Sequence, residues 1–501
     1  MNEAIFSIKP LLAVLCPLVA APSIVLLHRR PNLREGATLI AAVAQFAIIL
    51  SMAPEIVAGE RLVCRIIDIG AGIEVGYRVD AFGLLFAITS SFLWILVSLY
   101  SIGYMRALEE HAQTRYYFMF ALAIFSAVSI ALSANLVTFY IFYEALTLST
   151  YWLVAHHEDE NAFAATRKYL TYLLASGWFL FAAVVLTYAL AGTTQFADGG
   201  ILRLTSAPRF TLVVLFVLFA LGSMKAAWMP FHAWLPSAMV APTPVSSLLH
   251  AVAVVKAGVF GFVRIVCHVF GVDLIGALGV GIWLGLVAAI TMILGSFFAI
   301  GEDNLKRRLA YSTISQLSYI LFGVALLSPF GVKGAMVHIP FHGFMKITLF
   351  LCAGAIMVVT GKKQISQMAG IGRQMPVTLM AFTVGALGMC GAPPAAGFIS
   401  KWFLCLGTIE AGLLIFLAVI LISSLLDVIY FFPIVKTAFF DSPQAIAADG
   451  GSKGNLEMQR PLVLLMIVPL ALTALFSLVF CFFPETFYLL NLAEVAVNGL
   501  F

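Results

Sequence analysis

The chain has 501 residues, 62% of them apolar and 10% charged, with a formal net charge of +4 and a mean hydropathy of +1.04. A soluble domain is about half apolar and a quarter charged, so this sequence lacks the polar surface to cover a water-facing sphere and suits a bilayer. That excludes a soluble enzyme, a disordered chain and a nucleic-acid binder, the last also because no basic run interleaved with aromatics is present.

A bilayer core of roughly 30 Å takes about 20 apolar residues per helix. Measured that way the sequence predicts an all-α polytopic protein of about 14 transmembrane helices, at approximately 10–27, 37–57, 81–104, 115–133, 135–155, 167–191, 209–229, 244–270, 274–300, 309–328, 334–359, 376–406, 410–435 and 461–483. The first apolar run ends in His28, Arg29, Arg30 and Pro31 rather than in small residues, so it reads as a retained helix and not a cleaved signal. With the N-terminus outside, the loops that fall inside carry Arg29, Arg30, Arg34, Arg106, Arg115, Arg167, Lys168, Lys306 to Arg308, Lys362, Lys363, Arg373, Lys436, Lys453 and Arg460. The outer loops are poorer in Lys and Arg, which predicts a multi-pass protein of the cell (inner) membrane with both ends outside.

Seven charges fit no loop: Glu144, Lys225, Lys256, Arg264, Lys346, Lys401 and Asp427. Each costs about 2.5–3.5 kcal/mol at a helix centre, so together they predict an ion path. Arg264, near the end of its span, is the best placed of them to snorkel to the interface. Glu144 in an apolar span needs a nearby cation to stay ionised, and Lys225 is the candidate; drawing the two apart or together would release or hold a proton. Lys256 follows His250 by six residues, about 600° of regular helix, so the two would hand a proton around the helix. His338, His342 and Lys346 fall at i, i+4 and i+8, a single stripe of titratable groups. Ser312, Thr313, Ser315, Gln316, Ser318 and Tyr319 in one span, and Thr147, Ser149 and Thr150 in another, could hold water between them. Lys306 reads either as a loop cation or as the first group of the second half. Asp427 fits three roles: a final carboxylate after Lys401, a sodium ligand, or a static partner to a lysine.

An internal repeat accompanies these charges. Asn135-Leu136 and Asn304-Leu305 open similar spans 169 residues apart, and Lys225 and Lys401 lie beside Pro230 and Pro236 and beside Gly391, Pro393, Pro394 and Gly397. Five spans per unit, an odd number, would invert one unit against the other, each with a broken helix. The seven cysteines, Cys16, Cys64, Cys267, Cys352, Cys390, Cys405 and Cys481, show no ligand spacing for zinc, haem or an iron–sulfur cluster. No cofactor is therefore expected on this chain, and whether it holds a metal is left open.

The motif Lys225-Ala-Ala-Trp-Met-Pro230-Phe-His-Ala-Trp234-Leu-Pro236, running through Ala241-Pro-Thr-Pro244 and His250 to Lys256-Ala-Gly258, resembles the signature of antiporter-like, proton-conducting membrane subunits. Such subunits occur in respiratory complex I, membrane-bound hydrogenases and multi-subunit Mrp-type sodium/proton antiporters. Leu305 to Gln316, His338 to Lys346 and Gly391 to Lys401 extend the resemblance. It implies 14 core helices: N-terminal helices 1–3 over residues 1–114, a first inverted repeat over 115–270, a second over 271–436, and a loop with the last helix over 437–501. It also implies that Glu144 and Lys225 form the pair of the fifth and seventh spans, with Lys256 the relay of the eighth and His338, His342 and Lys346 that of the eleventh. Lys401, in the twelfth, would stand at the exit side. A lysine there, and an end soon after the last helix, is more similar to the Mrp D-type or hydrogenase-type subunit than to the long distal subunits; Asp427 matches no motif residue. Function follows as proton movement, with or without sodium exchange, in a complex with other hydrophobic antiporter-type subunits, driven either by a sodium gradient or by redox chemistry that sits on partner chains, as in a complex of the hydrogenase or NADH dehydrogenase type. Two other classes remain: the membrane component of an inorganic-carbon uptake complex with a soluble zinc partner, and a stand-alone secondary transporter.

Overall fold

The computed structural model describes residues 4–70, 72–442 and 461–501; Lys453 and Arg460, assigned above to an inner loop, lie outside the described residues. Strand β1 (Ala4–Phe6) leads into α1 (Lys9–Leu26), α2 (Pro31–Leu50) and the short α3 (Ala53–Val57). Strands β2 (Arg61–Gly70) and β3 (Ile73–Val79) follow, then α4 (Ala81–Ala107), α5 (Gln113–Ala131), α6 (Leu136–Val154), α7 (Glu160–Ala191) and α8 (Arg209–Gly222). The chain continues through α9 (Trp234–Ser237), α10 (Thr243–Ser247), α11 (Val254–Arg264), α12 (Val272–Leu278), α13 (Val280–Gly301), α14 (Leu305–Ala325) and α15 (Pro329–Thr360). The remaining helices are α16 (Pro376–Cys390), α17 (Gly397–Glu410), α18 (Leu414–Phe440), α19 (Pro461–Phe482) and α20 (Leu489–Asn498).

Ten helical spans among the described residues are long and apolar enough to cross a bilayer. The predicted spans 209–229 and 376–406 break, at 223–233 and 391–396, where proline and glycine prevent a continuous helix. Helix starts are set by short polar side chains that accept a backbone N–H three residues on: Asp80 from Gly83 at 2.8 Å, Asn135 from Thr138 at 2.8 Å, and Asn304 from Arg307 at 3.1 Å. Asn135 also pairs with Gln195, and Asn304 with Gln364, as isolated bridges with the same spacing.

The structure corrects the all-α expectation. β1, β2 and β3 form a three-stranded sheet in that order, β1 parallel to β2 and β2 antiparallel to β3, with Leu62 opposite Val79 and Cys64 opposite Tyr77. Residues 61–79 are rich in β-branched side chains around Gly70 and Gly72, both at positive φ, which is hairpin chemistry that a span-length search passes over.

The composite span Thr243–Phe270 is wholly buried at the centre of the bundle. Its helix is irregular: π-turns occupy Leu248–Val252 and Ile265–Phe270, and Ala253 between the first and α11 has φ −123° and ψ −74°. α4 and α15 are also largely buried, whereas α1, α2, α7 and α18 present apolar side chains outward.

Candidate ion path

Lys225 lies in the break after α8, in a single turn (Met224–Ala226), and is fully buried. Its Nζ donates to the Tyr143 carbonyl, sits 3.3 Å from the centroid of the Tyr143 ring and is 3.9 Å from Glu144 Oε1. The expected partners are thus together, as a loose pair rather than a tight one. Glu144 is partly exposed on the flank of the bundle, and its Oε1 has no hydrogen-bond donor. Gly258 of α11 packs on the break; a Cβ there would stand 2.5 Å from the Lys225 carbonyl carbon and 2.9 Å from Ala226 Cα. Only glycine allows so close an approach, which brings the span carrying Lys256 onto the turn carrying Lys225.

The helical arithmetic for His250 and Lys256 fails, because the π-turn and the kink at Ala253 lie between them. Each instead bonds across to another helix. His250 Nδ1 is 3.0 Å from Thr313 Oγ1 of α14, and Lys256 Nζ is 2.7 Å from His342 Nδ1 of α15. The histidine stripe holds in part: the His338 and His342 rings stack at 5.7 Å, and His338 Nδ1 lies 2.8 Å from Ser400 Oγ, next to Lys401. Lys346, the third member, turns away to α14 and donates to Ser312 Oγ at 2.8 Å.

From there a continuous hydrogen-bonded line runs to the far end. Ser312 Oγ lies 2.8 Å from Tyr430 Oη of α18, and that hydroxyl donates to Asp427 Oδ1 at 2.6 Å. Asp427 Oδ2 accepts from Lys401 Nζ at 2.8 Å and from Gln316 Nε2 at 2.7 Å. Lys401 Nζ also donates to Ser424 Oγ at 3.0 Å and lies 4.6 Å over the Tyr319 ring. Gly391, at φ +79°, makes room for it, since a Cβ there would meet Lys401 Cδ at 2.5 Å. Of the three roles open to Asp427, the structure supplies a direct lysine partner. Tyr430, three residues after Asp427 on one helix face, and Ser400, next to Lys401, were not read as path residues; their spacing to known charges was the available signal.

Lys306 occupies a position between its two readings. It opens α14 and its Nζ donates to the Ala241 carbonyl at 2.6 Å, on the wall of a cavity of about 610 Å³. Arg264 contradicts the snorkelling expectation: it is 1% exposed and its Nη2 is 2.6 Å from Asp80 Oδ1, with His268 Nε2 3.3 Å from Nη1. The sequence hid this pair because Asp80 lies 184 residues away, at the cap of α4.

Tyr430→Phe tests the line. The loss of one buried hydroxyl costs about 1–3 kcal/mol, leaving a folded protein, while proton flux in vesicles, read with a pH-sensitive dye, is expected to fall at least about tenfold. Unchanged flux would remove Tyr430 from the path.

A helical protein that crosses the membrane many times, with two broken helices and a buried line of titratable groups, is the class this fold and site define. The family model described as NADH:quinone oxidoreductase/Mrp antiporter, TM, matches residues 133–427, and that of the NADH-ubiquinone oxidoreductase (complex I) chain 5 N-terminus matches 67–117. Over 487 residues the chain is 32% identical to NADH-quinone oxidoreductase subunit N of Desulforudis audaxviator, spanning 95% of this chain and 96% of that one. Its fold matches a chain of the Mrp complex of Dietzia sp. with a TM-score of 0.85 at 22% identity, over 99% of this chain and 98% of that one. A chain of the membrane-bound sulfane sulfur reductase, an archaeal respiratory membrane complex, matches with a TM-score of 0.86 at 23% identity and the same coverage. The chain belongs to the NADH:quinone oxidoreductase/Mrp antiporter family of membrane proteins.

Proposed function

We propose that this chain is the proton-translocating subunit of a multi-subunit membrane complex, moving protons along the line from Glu144 and Lys225 through Lys256, His342, His338 and Lys346 to Lys401 and Asp427. The observation that carries this reading is the unbroken hydrogen-bonded sequence Lys346, Ser312, Tyr430, Asp427, Lys401 within the bundle. A purely structural bundle has no use for so many ionisable groups joined end to end at this desolvation cost. The relative that spans the chain from end to end, a subunit of NADH-quinone oxidoreductase, favours a redox-linked assembly. In such an assembly other chains carry the electron chemistry and further antiporter-type subunits pack beside this one.

The same reading gives the chain fourteen spans in a cell inner membrane, both ends outside, with residues 115–270 and 271–436 as inverted repeats between 1–114 and 437–501. The paired bridges of Asn135 with Gln195 and Asn304 with Gln364, and the breaks beside Lys225 and before Lys401, support the repeat.

In this scheme the loose Glu144–Lys225 contact is the valve: the lysine keeps its proton while the carboxylate is near and releases it when the two separate. Lys225→Ala and Glu144→Ala are each expected to reduce proton flux of the reconstituted complex by about 100-fold or more, with subunit composition on native gels unchanged. Normal flux in either assembled variant would overturn the valve.

A further inference from the structure

Glu110 and His111, in the turn between α4 and α5, meet His156, in the turn between α6 and α7, and Glu110 and the neighbouring His157 line the cavity that Lys306 also lines. One ligand atom from each of the three lies within 4.8 Å of the others. The His111 and His156 rings are 4.9 Å apart, centroid to centroid. His156 Nε2 stands 3.6 Å from Glu110 Oε2, and His157 Nδ1 stands 3.7 Å from the same oxygen. His156 is the unusual member: it is fully buried, yet neither ring nitrogen has a polar partner within 3.5 Å, Nε2 facing the Glu110 carboxylate at 3.6 Å. A buried imidazole whose nitrogens make no close hydrogen bond is costly unless something else satisfies it.

The backbone around this ring is fixed from outside the cluster. Arg115 donates through Nη2 to the His156 carbonyl at 3.1 Å and pairs with the Glu158 carboxylate, which holds the second turn against the start of α5. Tyr116 meets the His156 ring edge-on at 6.0 Å.

We propose that Glu110, His111 and His156 form a binding site for a divalent transition-metal cation of the zinc type, with His157 placed to reach the fourth position. Two or three imidazoles and one carboxylate are a donor set that suits zinc and its neighbours and not magnesium or calcium, which take oxygen ligands. Ligand atoms around a tetrahedral zinc are about 3.3 Å apart at bond lengths near 2.05 Å, so closure from separations within 4.8 Å needs the two turns to approach by at most about 1.5 Å. His111 is exposed and free to make that movement. The ion would tie the α4–α5 turn to the α6–α7 turn beside the cavity leading to Lys306. The donors come from two turns 45 residues apart, which is why no local ligand spacing marks them in the sequence.

The test uses the detergent-solubilised complex purified without a polyhistidine tag, titrated with Zn2+ against a fluorescent chelator and separately with Co2+ read by visible absorption. The expected result is one tight equivalent of Zn2+ per chain and a Co2+ spectrum of tetrahedral intensity. His111→Ala, an exposed substitution that leaves the fold alone, should weaken Zn2+ binding at least about tenfold, as should Glu110→Gln. His28→Ala, at another exposed histidine, should leave it unchanged. Absence of a stoichiometric site, or binding equal in the native, His111→Ala and Glu110→Gln proteins, would overturn the assignment.

Discussion

Asp427→Ala is expected to reduce both the amount of assembled protein and its proton flux, and the two losses separate in a double variant. Asp427 is fully buried and accepts from Lys401 at 2.8 Å, Gln316 at 2.7 Å and Tyr430 at 2.6 Å. Without the carboxylate, Lys401 is a buried charge left with the Ser424 hydroxyl and the face of the Tyr319 ring, neither of them an anion. Removing one member of a buried ion pair costs about 3–5 kcal/mol, mostly the penalty of stranding the other. Replacing both members by apolar groups of similar size is close to neutral. The double variant Lys401→Met, Asp427→Leu should therefore accumulate nearly as the native chain does, while its flux stays about 100-fold or more below native. Flux in the double variant would show that protons bypass this end of the line. Normal accumulation of Asp427→Ala alone would show that the pair is not charged.

Arg264→Ala is expected to be the opposite kind of lesion, severe for the fold and silent for the chemistry. The guanidinium is 1% exposed, bonds Asp80 and His268, and lies among Phe82, Phe196 and Phe260 at 5.3, 5.4 and 5.2 Å. Asp80 in turn caps α4 through Gly83 N at 2.8 Å, so Arg264 fixes the start of one largely buried helix to the end of another. Its loss strands the carboxylate at a cost of about 3–5 kcal/mol. A large drop in the thermal midpoint in detergent is expected, with flux per assembled molecule unchanged. Arg264→Lys should recover only part of the stability, since an ammonium lacks the planar fork that serves Asp80 and His268 together. A native midpoint for Arg264→Ala would return the residue to the interface.

Some of this could be read from the residues alone. Span length and hydropathy are properties of local sequence, so the helices of the bundle and the positions of its two breaks were legible in apolar runs and in Pro230, Pro236, Gly391 and Pro393. The stranded charges were equally legible, because each is an energetic anomaly in its own segment. The pairing of Lys225 with Glu144 followed from the need to compensate a buried charge, and the contact is there, though long.

What charge meets what else was decided in three dimensions. A π-turn and a kink re-aimed His250 and Lys256 toward Thr313 and His342, and no residue count across regular helix could give that. Lys346 left the histidine stripe for Ser312 because a hydroxyl on α14 lies within reach of its long stem. Arg264 found Asp80, and Glu110 and His111 came up against His156, only when helices distant in sequence were packed side by side. The sequence by itself determined which segments are apolar enough for a bilayer and which charged residues are costly to bury there. Tertiary structure decided their partners, because a buried charge or imidazole is satisfied by whatever lies a few ångströms away, and that neighbour is set by helix packing rather than by position along the chain.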